Sequence, residues 1–467
     1  MNRWVSFLLS LVFVLSMTAC SSGTSTNSNK VEINDPSSPP VKPTPAEIKG
    51  KIEDENKDDK KKLVISILGV NDFYEKAKQK YEAANPNVTI EYKEFGGEDS
   101  SGVLNPAQVE KYIKQTTTEI LSGEGADLFA ITSIELPIEK YISKKAFVNL
   151  NELIQQDSTF DTSKYHMNIL EHSQKSGGLY ILPTKFYLQV LFGDKVNIDK
   201  SGVTFDDSKW TWSEFEEVGK KLAAKGIHDY TLGGNTEPES MLNLLVSDNY
   251  AQLVDGAKQK ANFDSIIFTD LLERVKNLYE DKIITKESVH TEDSFFNLSE
   301  IYSPRDYLER LAIFYKDGTI YQKPHTAEQK SGIAFGGLQE IAMNANSKVK
   351  GTAWDFMKFL MSEEMQSIPE QQGFSIIKSV NDEMIEKLAN EVKNGTATAG
   401  KGGTLKVSEE DNIKLKAMLT EASLPITFMN KVQSIVAEEA KAYFTGQKSA
   451  EAVSKLIQNK VSTYINE

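Results

Sequence analysis

Cysteine is almost missing from this chain, since Cys20 is the only one among 467 residues. A single thiol excludes an internal disulfide framework. The spacings of common catalytic and metal sites are missing too, because the five histidines form no HExxH pattern and no GxSxG turn is present. Gly395–Lys401 comes near to a phosphate-binding loop, but Gly402 stands where that motif requires Ser or Thr. We therefore expect no catalytic residues, no metal and no cofactor.

An excess of positive charge is also missing, since 67 acidic residues outnumber 53 Lys and Arg and give a formal net charge of −14 at pH 7. A negatively charged surface repels nucleic acid and anionic lipid, so neither is an expected partner. After residue 62, no stretch is long and apolar enough to cross a bilayer as a helix.

The amino terminus carries the one long apolar run. A short basic start, Met1–Arg3, precedes Trp4–Met17, which has the length of a secretory signal and falls short of the roughly 20 residues that span a membrane. Two small residues and then Cys20 follow, in an order that resembles a lipobox with Met17 where Leu, Val or Ile is usual. The resemblance implies a signal peptide over 1–19 and a lipid such as palmitate on Cys20. The alternative is an ordinary signal peptide with an incidental cysteine.

Residues 20–62 read as a disordered tether behind the lipidated cysteine. Ser, Thr and Pro dominate its first part and dense mixed charge its last part. Such a segment buries too little apolar surface to offset the entropy of ordering it. About 405 residues remain, which is too many for one hydrophobic core and favours two domains.

The start of this body alternates strand and helix patterns. LVISILGV from Leu63 is a strand-type run, DFYEKAKQKYEAA has apolar residues at helical spacing, and NVTIEYKEF alternates as a half-buried strand does. A second helical pattern ends at Gly123, and the buried-type strand ADLFAITS follows. The order predicts an α/β arrangement with a largely parallel sheet. Ligands of such sheets bind beyond the carboxyl ends of the strands.

Seven segments follow one another along the body in a recognisable order. They are LVISILGVNDFYEKAKQKYEAANPNVTIEY, ADLFAITS, YISKKAFVNLNELI, GGLYILPTKFYLQVLFGDK, KWTWSEFEEVGKKL, IAMNANSKVKGTAWDFMKFLMSEEMQ and FTGQKSAEAVSKLIQNKVSTYINE. Each segment is weak alone, but their order and spacing resemble the sugar-binding type of extracellular solute-binding proteins of ABC importers, family 1. Two places depart from the family pattern, namely Leu191–Asp194, where YYN is usual, and Phe295–Tyr315, where the expected motif is not recognisable.

The resemblance implies an α/β fold of the periplasmic-binding-protein-like type II, in which hinge crossovers join two lobes around a ligand cleft. Gly336 and Gly337 are expected to absorb the change of backbone angles at the second hinge. The three crossovers are expected near 183–188, 335–339 and 374–378. Lobe 1 is then 63–184 plus 338–375, and lobe 2 is 185–337 plus 376–467.

Local signals fix several helix ends. Thr211 and Glu214 have the spacing of a capping box, and Trp212 inside it is expected to pack in the core. Gly446 is expected to end one late helix and Ser449 to cap the last one.

Sugar sites combine aromatic faces with a few placed polar groups on apolar walls. We take the candidates from the matched positions, which lie after strands, on the crossovers and in a loop of lobe 2. Each candidate could instead be an ordinary loop residue or a packing residue. Trp210 is the preferred aromatic candidate, and Glu239 stands beside Glu237 in the same loop. The predicted ligand-binding residues are Asn71, Asp72, Thr132, Ser133, Lys185, Tyr187, Trp210, Glu237, Gly336 and Gly337.

The resemblance implies a monomeric lipoprotein on the extracellular face of the bacterial cytoplasmic membrane. It would capture a carbohydrate, an oligosaccharide by preference, and deliver it to the permease subunits of an ABC transporter, without enzymatic turnover. Uronates, amino sugars or a non-sugar solute remain open as ligands. The alternatives are a surface-anchored glycoside hydrolase, because a pair among 67 acidic residues could flank a sugar, and a sensory or structural surface lipoprotein of the same fold.

Overall fold

A computed structural model describes most of the chain from Lys51 onward. The predicted signal peptide, Cys20 and the first part of the predicted tether lie outside the described residues. The described residues are 51–96, 105–131, 136–234, 237–256, 258–287, 290, 293–315, 317–368, 372–397, 405–427 and 430–466.

Strands and helices alternate through the first part of the chain, and helices dominate its last part. The strands are β1 Lys61–Ile67, β2 Val88–Glu94, β3 Leu128–Ile131, β4 Leu182–Gly193, β5 Tyr230–Gly233, β6 Val254–Asp255, β7 Lys260–Ala261, β8 Ser294–Ile301, β9 Thr319–Tyr321, β10 Ile333–Met343, β11 Phe374–Ser375 and β12 Ala422–Pro425. The helices are α1 Asp72–Ala84, α2 Pro106–Ser122, α3 Ile138–Ser143, α4 Leu150–Gln156, α5 Met167–His172, α6 Lys195–Ser201, α7 Trp212–Ala223, α8 Pro238–Asp248, α9 Tyr250–Leu253, α10 Ile266–Glu280, α11 Pro304–Phe314, α12 Lys350–Leu360, α13 Glu363–Gln366, α14 Lys378–Lys393, α15 Glu409–Glu421, α16 Lys431–Phe444 and α17 Ala450–Asn466.

The first three strands form the parallel half of the main sheet. β1 lies between β2 and β3 and is parallel to both. Asn71 caps α1, whose buried face includes Phe73, Ala77 and Tyr81, and Asn85 follows its last turn. The predicted alternation of strand and helix is therefore confirmed, and the carboxyl ends of β1 and β3 lie at the same edge of the sheet.

Two long strands carry the sheet past that edge. β10 is antiparallel to both β3 and β4, and β4 continues until it pairs with β8, which in turn pairs with β5. The resulting strand order is β2-β1-β3-β10-β4-β8-β5. One sheet therefore runs through the whole body of the protein.

The sheet is narrowest where the three predicted crossovers meet. The pairing of β10 with β3 ends at Glu340, which lies opposite Pro183 of β4, and the pairing of β4 with β8 begins at Leu188. Between these levels, within the described residues, β4 has only β10 and β11 as neighbours. We call this part the crossover ribbon, defined as residues 184–187, 336–339 and 374–375.

Apolar side chains gather in separate core clusters, and the first cluster continues through the ribbon, since it includes Phe186 of the ribbon and Phe192 beyond it. The second cluster collects buried residues of α7, α8, α10, α16 and α17, and the first collects those of β1, α1, α12, α14 and α15. Residues 376–422 were predicted in lobe 2, yet Asn168 donates hydrogen bonds to the carbonyls of Leu419 and Ala422, and Asn381 donates to His166. α14 and α15 therefore pack against α5 in the first cluster. Helical spacing shows which face of a helix is buried but does not show against which core.

The end of the predicted tether is ordered. Residues 51–60 lie along the start of α12, and β1 already begins at Lys61. The Asp54 carboxylate accepts from the backbone N–H and the hydroxyl of Thr352, at 2.9 and 2.7 Å. A Cβ at Gly351 would collide with the carbonyl of Ile52. The predicted boundary at residue 62 is therefore corrected to about residue 50, because these charged residues find specific partners that composition does not reveal.

The predicted helix caps are present. The Thr211 hydroxyl accepts from the Glu214 N–H at 3.3 Å, and the Glu214 carboxylate accepts from the Thr211 N–H at 2.7 Å. The Ser449 hydroxyl accepts from the Ala452 N–H at 3.2 Å at the start of α17. Gly446 follows α16 with φ +74°, a conformation that glycine adopts without strain.

Candidate functional site

β4 sends alternate side chains to two different environments as it passes through the crossover ribbon. Phe186, Leu188 and Val190 lie in the first core cluster. Since successive residues of a strand point to opposite faces, Lys185 and Tyr187 lie on the other face, together with Gln189. Contacts with Glu300 of the neighbouring strand β8 and with Tyr302 just after it confirm this, and we call this side the polar face of β4.

Tyr187 occupies the middle of the polar face. Its ring stacks on Tyr302 with a centroid distance of 5.2 Å and an interplanar angle of 29°. Gly336 lies directly opposite on β10, where a Cβ would overlap the Tyr187 ring. Burial, followed by the negative charge of Glu300, raises the pKa of the Tyr187 phenol. Tyr187 is therefore a fixed, neutral hydrogen-bonding group.

Gln189 stands one pleat further along the same face. Its Nε2 donates to the Glu300 carboxylate at 3.3 Å. Its Oε1 is buried and has no hydrogen-bond partner among the described residues. A buried acceptor without a donor is costly, so a bound ligand is a natural source of that donor.

Lys185 lies at the opposite end of the polar face, and only 2% of it is exposed. Its strand neighbours are Leu338 on β10 and Ser375 on β11, neither of which carries a charge. Burial lowers the pKa of the Lys185 ammonium to about 8. The ammonium remains protonated over most of the physiological range.

Glu340 adds a carboxylate near the start of the ribbon. Gln339 has a φ of +49°, and the Thr184 hydroxyl donates to its carbonyl at 3.0 Å. A Cβ at Gly337 would collide with the Glu340 carboxylate. Burial raises the pKa of Glu340, and its charge contributes to the raised pKa of Tyr187. The two glycines thus serve close approach of side chains, whereas the positive φ falls on Gln339, two residues after Gly337.

Residues 69–367 match the family model of the bacterial extracellular solute-binding proteins. The chain belongs to this family. The matched region contains β4, β8 and β10, and with them the whole polar face.

Solved structures with the same fold cover almost the full described body. An ABC substrate-binding protein from Listeria monocytogenes in complex with cycloalternan is 15% identical, with a TM-score of 0.52 over 87% of this chain and 100% of that one. A sugar transporter from Rhizobium etli in an open conformation is 17% identical, with a TM-score of 0.55 over 86% and 98%. A cyclic alpha-maltosyl-1,6-maltose binding protein from Arthrobacter globiformis is 11% identical, with a TM-score of 0.52 over 86% and 98%. These likenesses establish the predicted periplasmic-binding-protein-like type II fold.

The structure of this solute-binding protein brings together four of the predicted site residues. Lys185, Tyr187, Gly336 and Gly337 meet on adjacent strands of the crossover ribbon. Thr132 and Ser133 lie outside the described residues. The strand that precedes them, β3, ends at Ile131, opposite Glu340.

Other predicted residues lie at helix starts. Asn71 is exposed and caps α1, accepting from the Tyr74 N–H at 3.2 Å, and Asp72 is the exposed first residue of that helix. Glu237 is exposed just before α8, and Glu239 lies in its first turn. These placements leave Asn71, Asp72 and Glu237 as proposals, without a contact to the polar face among the described residues.

Trp210 is the predicted site residue that the packing contradicts. Its indole stacks flat on Phe205 at 4.7 Å and meets Phe215 and Phe296 edge-on, and it is 2% exposed. Its Nε1–H donates to the carbonyl of Gln322 at 2.9 Å. Because its ring faces and its polar atom are already engaged in the second core, Trp210 is corrected to a packing residue.

Sequence reasoning missed Gln189, Glu300, Tyr302 and Glu340. Gln189 could have been found, since Lys185, Tyr187 and Gln189 alternate with apolar residues along KFYLQV. Glu300 and Tyr302 reach the site through the register of β8 against β4, which no local pattern reveals.

Two further features, a metal-binding cluster and a membrane-spanning helix, are absent from the part of the chain that the structure describes. No cluster of three or more His, Cys, Asp or Glu residues there is arranged to bind a metal ion. None of the helices described combines the length and the apolar character needed to cross a bilayer.

Proposed function

We propose that this protein captures a carbohydrate, an oligosaccharide by preference, and passes it to the permease subunits of an ABC importer. Membership of the extracellular solute-binding family supports capture of a solute. The names of the fold relatives from Listeria monocytogenes, Rhizobium etli and Arthrobacter globiformis support a sugar or sugar-like ligand and an ABC transporter.

The polar face of β4 is the observation that carries the proposal. It combines a stacked tyrosine pair with amide, carboxylate and ammonium groups, which are the components that bind sugar rings and hydroxyls. Tyr302 is half-buried, and its ring stacks on that of Tyr187. In this proposal, the exposed part of the Tyr302 ring contacts the sugar. The buried Gln189 acceptor lacks a donor among the described residues, and a sugar hydroxyl supplies one.

Binding is coupled to lobe closure in this proposal. The ribbon is the narrowest part of the main sheet within the described residues, so bending of the sheet is easiest there. A ligand favours the closed state only through contacts that it makes better in that state than in the open one. An oligosaccharide lying along the polar face reaches residues that belong to both sides of the ribbon.

The lipid on Cys20 completes the proposal and holds the protein on the outer surface of the cytoplasmic membrane. Growth with radiolabelled palmitate tests this anchor directly. Wild type should carry label and stay with the membrane, whereas Cys20→Ser should lose the label and appear in the medium. An unlabelled wild-type protein would favour the ordinary signal peptide instead.

Calorimetric titration against a panel of neutral and charged oligosaccharides tests the capture of carbohydrate. We expect at least one panel member to bind with a Kd in the micromolar range, about −8 kcal/mol, and to be recovered chemically unchanged. Release of new reducing ends would favour the hydrolase alternative. Absence of binding across the panel, together with intact uptake in a deletion strain, would reject the proposal.

A further inference from the structure

The buried ammonium of Lys185 is a charge without a counter-charge. Only 2% of the residue is exposed, and it forms no hydrogen bond or ion pair with the described residues. Its directly paired neighbours Leu338 and Ser375 are uncharged, and the Ser375 hydroxyl donates to Gln366 instead. An ionised group that loses most of its contact with water without gaining a partner destabilises the folded state. Lys185 is such a group, and it lies in the crossover ribbon.

Lys323 shows how this fold accommodates an equally buried lysine. Its ammonium lies 2.5 Å from the Asp248 carboxylate. The partly buried Lys358 lies 2.6 Å from Asp157, and the partly buried Lys414 donates to the Thr319 hydroxyl and the Ile320 carbonyl. Each of these three ammonium groups therefore has a partner, whereas Lys185 has none among the described residues.

A second unpartnered polar atom lies on the same face. The Oε1 of Gln189 is buried and accepts no hydrogen bond from the described residues. Lys185 and Gln189 are four residues apart on β4, which separates their Cα atoms by about 13 Å. Between them, the half-buried Tyr302 supplies an aromatic surface, and the buried Tyr187 stacks on its ring. The polar face thus lacks an anion at one end and a hydrogen-bond donor at the other.

We propose that the ligand is an acidic carbohydrate, whose carboxylate or sulfate group binds Lys185 while a hydroxyl of another sugar unit donates to Gln189. This inference rests on the proposed function, because it assigns the class of sugar to the same site. The distance along the strand exceeds one sugar ring, so the ligand has at least two units.

Charge elsewhere on the face limits where the anion can bind. The carboxylates of Glu300 and Glu340 both act on Tyr187, since they contribute to its raised pKa, whereas neither contributes to the lowered pKa of Lys185. An anionic substituent near Tyr187 would therefore be repelled, and one beside Lys185 would not. The net charge of −14 also excludes general attraction of anions, so preference for an acidic sugar must come from Lys185 itself.

The test is calorimetric titration of the full mature chain with matched sets of trisaccharides. Each set contains a uronic acid trisaccharide, its neutral methyl ester, and a sulfated neutral trisaccharide, in the galacturonic, glucuronic and mannuronic series. We expect the wild type to bind at least one anionic probe ten or more times more tightly than the matched neutral probe. The carboxylate and sulfate arms distinguish the two sources of negative charge.

Lys185→Met keeps the length of the side chain and removes its charge, so it should abolish this preference. Lys387→Met is the matched control, because Lys387 is exposed on α14, and it should retain the preference. Lys185→Met should also leave the Tm of the free protein unchanged or raise it, since it removes an unpaired buried charge. A lower Tm would assign Lys185 a structural role and overturn the inference.

The remaining outcomes separate the inference from the proposed function. Tighter binding of neutral probes, or an anion preference that survives in Lys185→Met, overturns the inference and leaves carbohydrate capture intact. Failure of every probe, neutral and anionic alike, rejects carbohydrate capture and the inference with it.

Discussion

Trp210 and Tyr302 are two aromatic side chains with opposite expected roles. Trp210 fills the second core, where Phe205 covers its indole, whereas Tyr302 is half-buried and stacks on Tyr187 on the polar face. Trp210→Ala should therefore lower the free energy of unfolding by about 3–5 kcal/mol and leave the carbohydrate affinity of the folded protein unchanged. Urea denaturation and calorimetry measure the two quantities separately.

Tyr302→Ala should show the reverse pattern. We expect its carbohydrate affinity to fall by about 1 kcal/mol because an aromatic contact is lost, while its stability changes less than that of Trp210→Ala. Tyr302→Phe keeps the ring and should retain most of the affinity. Lost affinity in a fully folded Trp210→Ala protein would contradict the assignment of that residue to packing.

Asp157 is expected to make the free energy of unfolding depend on pH in the acidic range. Burial raises its pKa, but hydrogen bonds from Lys358, Thr159 and Trp354 outweigh burial and hold the pKa well below the usual range. A carboxyl of lowered pKa stabilises the fold fully above its unfolded pKa of about 3.9, and this contribution is lost as the pH falls further. Urea unfolding of the wild type should therefore show a steep loss of stability below about pH 4.

Asp157→Asn should be less stable than wild type at pH 7 and should lose less stability on acidification. Asp229→Asn is the control, because Asp229 is exposed. Parallel pH profiles for wild type and Asp157→Asn would show that Asp157 does not carry this dependence.

At the scale of elements, residues 51–60 act as a strap over the start of α12. The residue preceding this helix, Val349, has no side chain able to cap it, and Asp54 supplies the missing acceptor from outside the helix. Glu55 adds ion pairs with Lys348 and Lys350. These ion pairs are exposed and contribute little, so the cap from Asp54 dominates.

Asp54→Ala should lower the free energy of unfolding by about 1 kcal/mol, which is the usual effect of losing a helix cap. Asp58→Ala in the same strap is the control, because Asp58 is exposed. Equal stability of the two variants, measured by urea unfolding, would show that the strap does not cap α12.

The helices and strands also show which parts of the fold could be predicted from the sequence. Helix starts were predictable, because Thr211 and Ser449 act through neighbours three residues away. β4 was only partly readable, since its alternation marks Lys185, Tyr187 and Gln189 but does not show which strand lies beside them. Glu300 and Tyr302 come from more than 100 residues away in sequence, and only the register of β8 places them at the site.

The cores could be predicted less well than the elements. α14 was expected in lobe 2, yet its buried apolar residues belong to the first cluster, and Asn381 donates to His166 beside α5. The prediction that Trp210 binds ligand was wrong for a similar reason, because a tryptophan before a capped helix can face a cleft or a core equally well. Such choices depend on tertiary packing, which short-range patterns do not record.

For the whole molecule, the proposed function requires that one sheet both holds a ligand and bends. Within the described residues, the crossover ribbon is the narrowest part of this sheet, with only three strands side by side. Lys185 and Tyr187 of the polar face lie in the ribbon. In this proposal, a ligand bound there contacts the part of the sheet that bends on closure.

Small-angle X-ray scattering of the mature chain, with and without a carbohydrate shown by calorimetry to bind, tests this link most directly. We predict that the bound protein has a smaller radius of gyration than the free protein, and that a variant with unmeasurable affinity keeps the free value at the same carbohydrate concentration. Identical scattering curves for the free protein and the fully bound protein would contradict closure around the ligand.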